Sequence, residues 1–340
     1  MTSSTTRSLS TVCLLVVLAA AIGRSAANFP PPEWAYPSTP RDFKADPDDG
    51  KPKHLAGSTR SFTFAQADDP FAPADWFPTE HPKMPETPVA KGRRPDVRAC
   101  AWCHLPNGLG HPHSSSLAGL PADYMRQQMA DFKSGARHSS VADSNMAPIS
   151  RALTPAETEA AITYFSQLPR TAWITVVEAA MAPKTRIVEG DLTVPVEPQE
   201  MEPIGLRIVE VPQFPARTRL HDPHAPYTAY VPIGSIRRGR ALVSSGGAVM
   251  RGTTVVVPGK MPPCAQCHGA SLRGMPHAPD TNIVVPALAG RSPAYILRQL
   301  YDIQSGARSG PTTELMKPIA AQLTLQEMID ISAYLGSKAP

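Results

Sequence analysis

The sequence is short of charge and of cysteine, and beyond its first residues it has no long apolar run. Charged residues make up 18% of the 340, and the formal net charge of +4 comes with no basic cluster. A nucleic-acid footprint is therefore not expected. Outside residues 9–23 no apolar stretch approaches spanning length, which excludes a bundle of transmembrane helices. Proline is the opposite case: 39 of them, with 22 glycines. That is about twice the ordinary share, and it argues against one continuous helical or α/β-barrel architecture. Proline and glycine together stay under the roughly 25–30% of low-complexity chains. At about 150 residues per domain, the length suggests two compact units joined by irregular chain.

The single apolar stretch has a specific layout. Arg7 precedes LSTVCLLVVLAAAIG, and the small residues SAAN follow. This is the pattern of a secretory signal peptide over residues 1–27, with cleavage expected after Ala27. Without Arg7 and Arg24 the mature chain is close to neutral and has no transmembrane segment, and a periplasmic location follows. Four of the five cysteines remain: Cys100, Cys103, Cys264 and Cys267. They occur as CAWCH and CAQCH. Cys-x-x-Cys-His is the haem c attachment pattern, in which two thiols add to the porphyrin and the adjacent histidine lies under the ring. A redox dithiol or half a zinc site would also use paired cysteines. Two copies that both end in histidine, inside an exported chain, favour haem.

The copies extend far beyond the motif. CAWCHLPNGLGHPH aligns with CAQCHGASLRGMPH, and Leu-Ala-Gly recurs at 117–119 and 288–290. Next, DFKSGAR at 131–137 matches DIQSGAR at 302–308, with Gly135 and Gly306 placed to end a helix. Finally NMAPISRALTPAE (145–157) matches LMKPIAAQLTLQE (315–327). Thr154-x-x-Glu157 and Thr324-x-x-Glu327 are capping boxes that open a last helix.

Each copy resembles a class I cytochrome c domain, and the pair is similar to the tandem dihaem class I cytochromes. The likeness covers about 95–170 and 233–338. It implies a predominantly all-α fold, two covalent haem c groups, and His104 and His268 on iron. It also implies that Met146 and Met316, in the Met-x-Pro segments, are the opposite ligands. Their recurrence in the same context supports this, since a lone methionine is usually core filler. Met275 follows His268 too closely to reach the far face. The resemblance further implies one-electron transfer in the periplasm. The donor would be a dehydrogenase or quinol-oxidising complex, and the acceptor an oxidase or another cytochrome. No catalytic residue is assigned. Two alternatives stand beside this: a fixed haem subunit of a larger dehydrogenase, and a dihaem peroxidase. The second needs an open distal site, and two methionines argue against one. A distal cysteine ligand is excluded because all four mature cysteines are used in attachment.

The remaining chain reads less clearly. Residues 28–94 are expected to be a Pro-rich extended arm and 171–231 an irregular, partly β linker, flanking domains at 95–170 and 232–340. The arm carries no ligand, so removing 28–68 is expected to leave both haem spectra nearly intact. IGSIRRGRALVSSGG before Cys264 is an amphipathic helix that should cross the last helix of its domain. Prolines forbid its counterpart before Cys100, and Trp76 and Phe77 are expected to fill that groove. Arg137 and Arg308 are read as either propionate partners or solvated charges. His113 and His277 are read as hydrogen-bonding near a haem edge. His54, His81, His111, His138, His221 and His224 are read as surface or structural.

Overall fold

The computed structural model describes residues 28–45, 48–141 and 145–340; the expected signal segment 1–27 lies outside the described residues. Residues 28–94 do more than extend. Ala35 and Tyr36 are buried in the core of the C-terminal unit, where the Tyr36 hydroxyl donates to Asp302 Oδ1 at 2.8 Å. The Tyr301 hydroxyl donates to the Phe29 carbonyl at 3.0 Å. Further on, β1 (Lys53–His54) pairs antiparallel with β2 (Ser61–Phe62), and α1 (Phe64–Ala67) follows from a Thr63–Gln66 capping box. Together they enclose Leu55, Ala67, Ala74, Trp76 and Phe77. Trp76 and Phe77 therefore do not fill the groove expected of them. Trp76 Nε1 needs an acceptor when buried and finds the Leu220 carbonyl at 2.7 Å. The groove is taken by the turn Glu86–Ala90, whose Val89 is fully buried beside Ile162 and Phe165.

The first CxxCH unit contains α2 (Cys100–His104), α3 (Ala122–Ser134), α4 (Met146–Ala152) and α5 (Pro155–Ser166). α3 stops at Gly135 in the left-handed region, and α5 opens on the expected capping box. Leu109, Leu120, Tyr124, Met125, Ile162 and Phe165 share the core between α3 and α5.

The connecting chain holds more sheet than expected, so the fold as a whole is mixed and not predominantly all-α; the haem units are built on helices, with a two-stranded hairpin added in the second. β3 (Ile174–Glu178), β4 (Met181–Pro183), β5 (Thr185–Ile187), β6 (Thr193–Pro195), β7 (Met201–Pro203), β8 (Val209–Pro212), α6 (Pro215–Arg219) and β9 (Tyr227–Val231) follow in order. β9 lies centrally, parallel to β3 (Ile174 opposite Tyr227) and antiparallel to β8 (Val209 opposite Tyr230). β4 pairs with β7 and β5 with β6. β-branched runs supply pairing surfaces here, while prolines at strand ends keep each strand short.

The second unit consists of α7 (Ser235–Ser245), a hairpin of β10 (Val249–Arg251) and β11 (Thr254–Val257), α8 (Ala265–His268), α9 (Pro293–Ser305), α10 (Lys317–Ala320) and α11 (Leu325–Gly336). α7 crosses α11 as the amphipathic pattern predicted. The crossing is so close that a Cβ on Gly239 would sit 1.8 Å from the Asp330 carbonyl oxygen. Arg238 fixes it with a two-pronged bond to the Asp330 carboxylate at 2.8 and 2.9 Å. α9 is buried nearly all round. Its N-terminal amides are unpaired within the helix. Ser292 caps one, and Glu210 on β8 accepts from Ala294 N at 2.9 Å and from the Ser292 hydroxyl at 2.7 Å.

The two units meet through their SGAR turns. Arg137 and Arg308 bridge antiparallel, with His138 N donating to Ala307 O and Ser309 N to Ala136 O.

Candidate functional site

Each CxxCH motif forms one short helix that carries its histidine inward. His104 and His268 are both buried. His104 Nδ1 donates to the Ser115 carbonyl at 2.8 Å, and His268 Nδ1 donates to the Pro286 carbonyl at 2.8 Å. A carbonyl can only accept, so the ring proton is on Nδ1 and the lone pair is on Nε2. Nε2 has no partner among the described residues in either ring. Burial holds both imidazoles below their ordinary value, with the carbonyl bond a smaller opposing effect, and so keeps them neutral. A neutral ring oriented by a backbone carbonyl is how a metal-ligating histidine is prepared. Ser115 and Pro286 were not singled out in the sequence, although each stands two residues before its Leu-Ala-Gly.

The cysteines fit the same use and disfavour the others. Cys100, Cys103, Cys264 and Cys267 are all unbridged. Burial raises Cys100 to about 12, and Cys103 and Cys264 to about 11. A redox dithiol needs a depressed thiol pKa. A zinc site needs more donors, and no three His, Cys, Asp or Glu side chains converge among the described residues. Met146 opens α4, which packs on α3, and Met316 caps α10 while touching the second core. Both are half-buried. Met275 is held aside in a backbone bridge to Val285.

The SGAR arginines are neither solvated nor paired with acids. Arg137 donates to Gln128 Oε1 in its own unit and to the Tyr295 hydroxyl and Gln299 Oε1 in the other, at 2.9, 3.2 and 2.9 Å. Arg308 mirrors it, donating to Gln299 Oε1, the Tyr124 hydroxyl and Gln128 Oε1 at 3.0, 3.0 and 2.9 Å. Arg291 and Arg298 are buried nearby and bond only neutral acceptors: Ser115 Oγ and the carbonyls of Ser116, Ala35 and Pro112. The Nε atoms of Arg291 and Arg308 have no hydrogen-bond partner among the described residues. Burial alone would raise the Tyr295 phenol, but Arg137, Arg291 and Arg308 outweigh it and bring it well below the usual tyrosine range. Among the described residues no carboxylate makes an ion pair with any of the four; Glu210 acts on Arg298, and Asp302 on Arg298 and Arg308, without a direct bond. Four buried guanidiniums with no anion in contact have room for an anionic group, and a carboxylate-bearing porphyrin meets that need.

Among the other histidines, His81, His221 and His224 pair with Asp75, Asp68 and Glu80. His54 and His138 are exposed, as is His277. His111 is structural and not a surface residue, and His113 meets Thr193 Oγ1 through Nε2 at 3.3 Å; the Nδ1 atoms of both are buried without a partner among the described residues.

Two repeats that each hold a half-buried, unbridged cysteine pair beside a buried, carbonyl-oriented histidine define a c-type cytochrome. Known proteins agree. The sequence profile of the cytochrome c family matches residues 260–338. Cytochrome c-554(548) of Halomonas halodenitrificans is 33% identical over 79 residues, covering 23% of this chain and 88% of that protein. The thiosulfate dehydrogenase electron acceptor of Thiomonas intermedia is 25% identical over 246 residues, covering 72% of this chain and 80% of that protein. Cytochrome c4 of Pseudomonas aeruginosa is 34% identical over 95 residues, covering 28% and 44%. The chain belongs to the cytochrome c family. It is a dihaem electron-transfer cytochrome with covalently bound haem c.

Proposed function

We propose that this chain accepts single electrons from a dehydrogenase in the periplasm and passes them to an oxidase or another cytochrome. The observation that carries the site assignment is the duplicated Nδ1–carbonyl bond, which leaves Nε2 of His104 and of His268 free to bind iron. The choice of donor rests on the similarity, over both units, to a protein named as the electron acceptor of thiosulfate dehydrogenase. A thiosulfate-oxidising enzyme is accordingly the first donor to test.

In this reading Cys100 with Cys103, and Cys264 with Cys267, make the thioether links. Met146 and Met316 would supply the thioether sulfurs to the iron. Haem iron supplies a one-electron couple, and the protein supplies binding, orientation and electrostatics. The neutral methionine sulfur favours the reduced state and raises the potential. The carbonyls of Ser115 and Pro286 fix the two imidazole rings. Arg137, Arg291, Arg298 and Arg308 offer their guanidiniums to the propionates at the inter-unit face, and no side chain is assigned a chemical step on a substrate. The test is anaerobic mixing of the holoprotein with a thiosulfate dehydrogenase and thiosulfate. Reduction of haem absorbance that requires both enzyme and thiosulfate is expected; an unchanged spectrum rejects that donor.

A further inference from the structure

The two units treat their CxxCH surfaces oppositely. Around α2, the arm and the linker close over the motif: Trp102 Nε1 donates to Asp68 Oδ1 at 2.9 Å, His221 Nδ1 donates to the Trp102 carbonyl at 3.1 Å, and Asn107 Nδ2 donates to the Pro223 carbonyl at 2.8 Å. Pro106, Leu109 and Pro112 are buried. Their repeat counterparts Ala270, Arg273 and Pro276 are exposed, and Gln266, the counterpart of Trp102, is exposed too.

Beside this open face stands an element the first repeat lacks. The β10–β11 hairpin is exposed along both strands, with Val249, Met250, Val255, Val256 and Val257 each 49–55% accessible. Its base is fixed to the haem unit. Lys260 N donates to Gly246 O, Cys264 N donates to Val243 O, and Lys260 Nζ reaches Gln322 O at 2.8 Å and Glu327 Oε2 at 2.6 Å. The hairpin therefore rises between the second CxxCH motif and the turn after α10. Arg237 and Arg240 on the outer face of α7, and Arg251 on the hairpin, are exposed and make no ion pair among the described residues. Their neighbour Arg238, in contrast, is paired with Asp330.

We propose that this hairpin and its arginines are the docking surface for an acidic redox protein that presents an apolar patch rimmed by carboxylates, and that electrons cross there to and from the second unit. Exposed valines on both faces of a short hairpin form a contiguous apolar surface of the kind that marks an interaction site. Unpaired guanidiniums beside it steer a partner of opposite charge. The free strand edges offer backbone groups to a partner strand. A lipid surface fits less well. The tip of the hairpin carries Arg251 at the end of β10, Thr253 in the turn and Thr254 at the start of β11, and hydrocarbon satisfies neither these nor the unpaired strand edges. In the step itself one electron leaves the partner and one arrives at the second unit, with no bond or proton exchanged.

The inference rests on the electron-transfer reading, and the test separates the two. The holoprotein is mixed by stopped flow with a reduced acidic blue-copper protein as probe, and separately with hydroquinone. Binding of the probe to immobilised holoprotein is measured alongside. Combining Val255→Ser, Val256→Ser and Val257→Ser should slow exchange with the probe and weaken its binding by tenfold or more. Arg237→Gln with Arg240→Gln should slow exchange similarly and flatten its salt dependence. Both variants should keep wild-type rates with hydroquinone. Should the triple variant lose haem absorbance, Val256→Ser alone replaces it, with a severalfold slowing expected. Wild-type rates and binding in the serine variants overturn the proposal. So does hairpin-dependent binding of the wild type to vesicles of anionic phospholipid, which assigns the surface to lipid. Failure of hydroquinone to reduce the wild type would instead reject the electron-transfer reading.

Discussion

One hydrogen bond per histidine orients each site, and the ligand facing it sets the potential. If Met316 ligates the same iron as His268, as proposed, Met316→Leu should lower the potential of one haem in a redox titration and leave the other unchanged. Met275→Leu should move neither, because its backbone is tied to Val285, next to the Pro286 whose carbonyl holds His268. A shift from Met275→Leu without one from Met316→Leu would reverse the assignment. At this scale the sequence was most legible where chemistry is local: CxxCH places three functional side chains on one helical turn. The carbonyls of Ser115 and Pro286 were hidden because any residue type supplies a carbonyl. Arg137 and Arg308 remained ambiguous for another reason. Their burial, to under a tenth exposed, depends on the opposite unit and not on neighbours in the chain.

Elements transmit these positions. Gly239 lets α7 lie against α11, so Gly239→Ala must push the helices apart. Overpacking of this kind costs about 1–3 kcal/mol, and thermal unfolding followed at the haem bands should show it as a lowered midpoint. Glu210 joins the linker sheet to α9. Burial raises its carboxyl to about 7 from an ordinary 4.5, with its hydrogen bonds pulling the other way. Its folded value is above its unfolded one, so its contribution is complete below about pH 4.5 and is lost as pH rises through about 7. The loss is on the order of 3 kcal/mol. Stability should fall across that window in the wild type and stay level in Glu210→Gln; equal slopes would show that another group is responsible. Tyr36 carries a third expectation, opposite to the sequence reading of the arm. Removing residues 28–36 should destabilise the second unit, because Ala35 and Tyr36 belong to its core. Nothing in the Pro-rich stretch marked this, since a chain without helical or strand period gives no sign of which surface it crosses.

Across the whole molecule, the two units are joined where four arginines gather with no ion-paired acid among the described residues. Arg137→Ala combined with Arg308→Ala should remove the mirrored bonds to Tyr124, Gln128, Tyr295 and Gln299. Calorimetry should then resolve two unfolding transitions in the variant holoprotein; a single unchanged transition would place the coupling elsewhere. The fold's two-unit plan was readable because the repeats align residue by residue. The linker sheet was less so: its strands are three to five residues long, and β9 pairs with β3, some fifty residues earlier in the chain. The most direct test of the account is a potentiometric titration of the holoprotein followed by optical absorbance and electron paramagnetic resonance. Two one-electron transitions, both from low-spin ferric haem and both at the high potentials of histidine–methionine ligation, are the predicted result. A high-spin ferric signal in the resting protein, or a single one-electron transition, would contradict it.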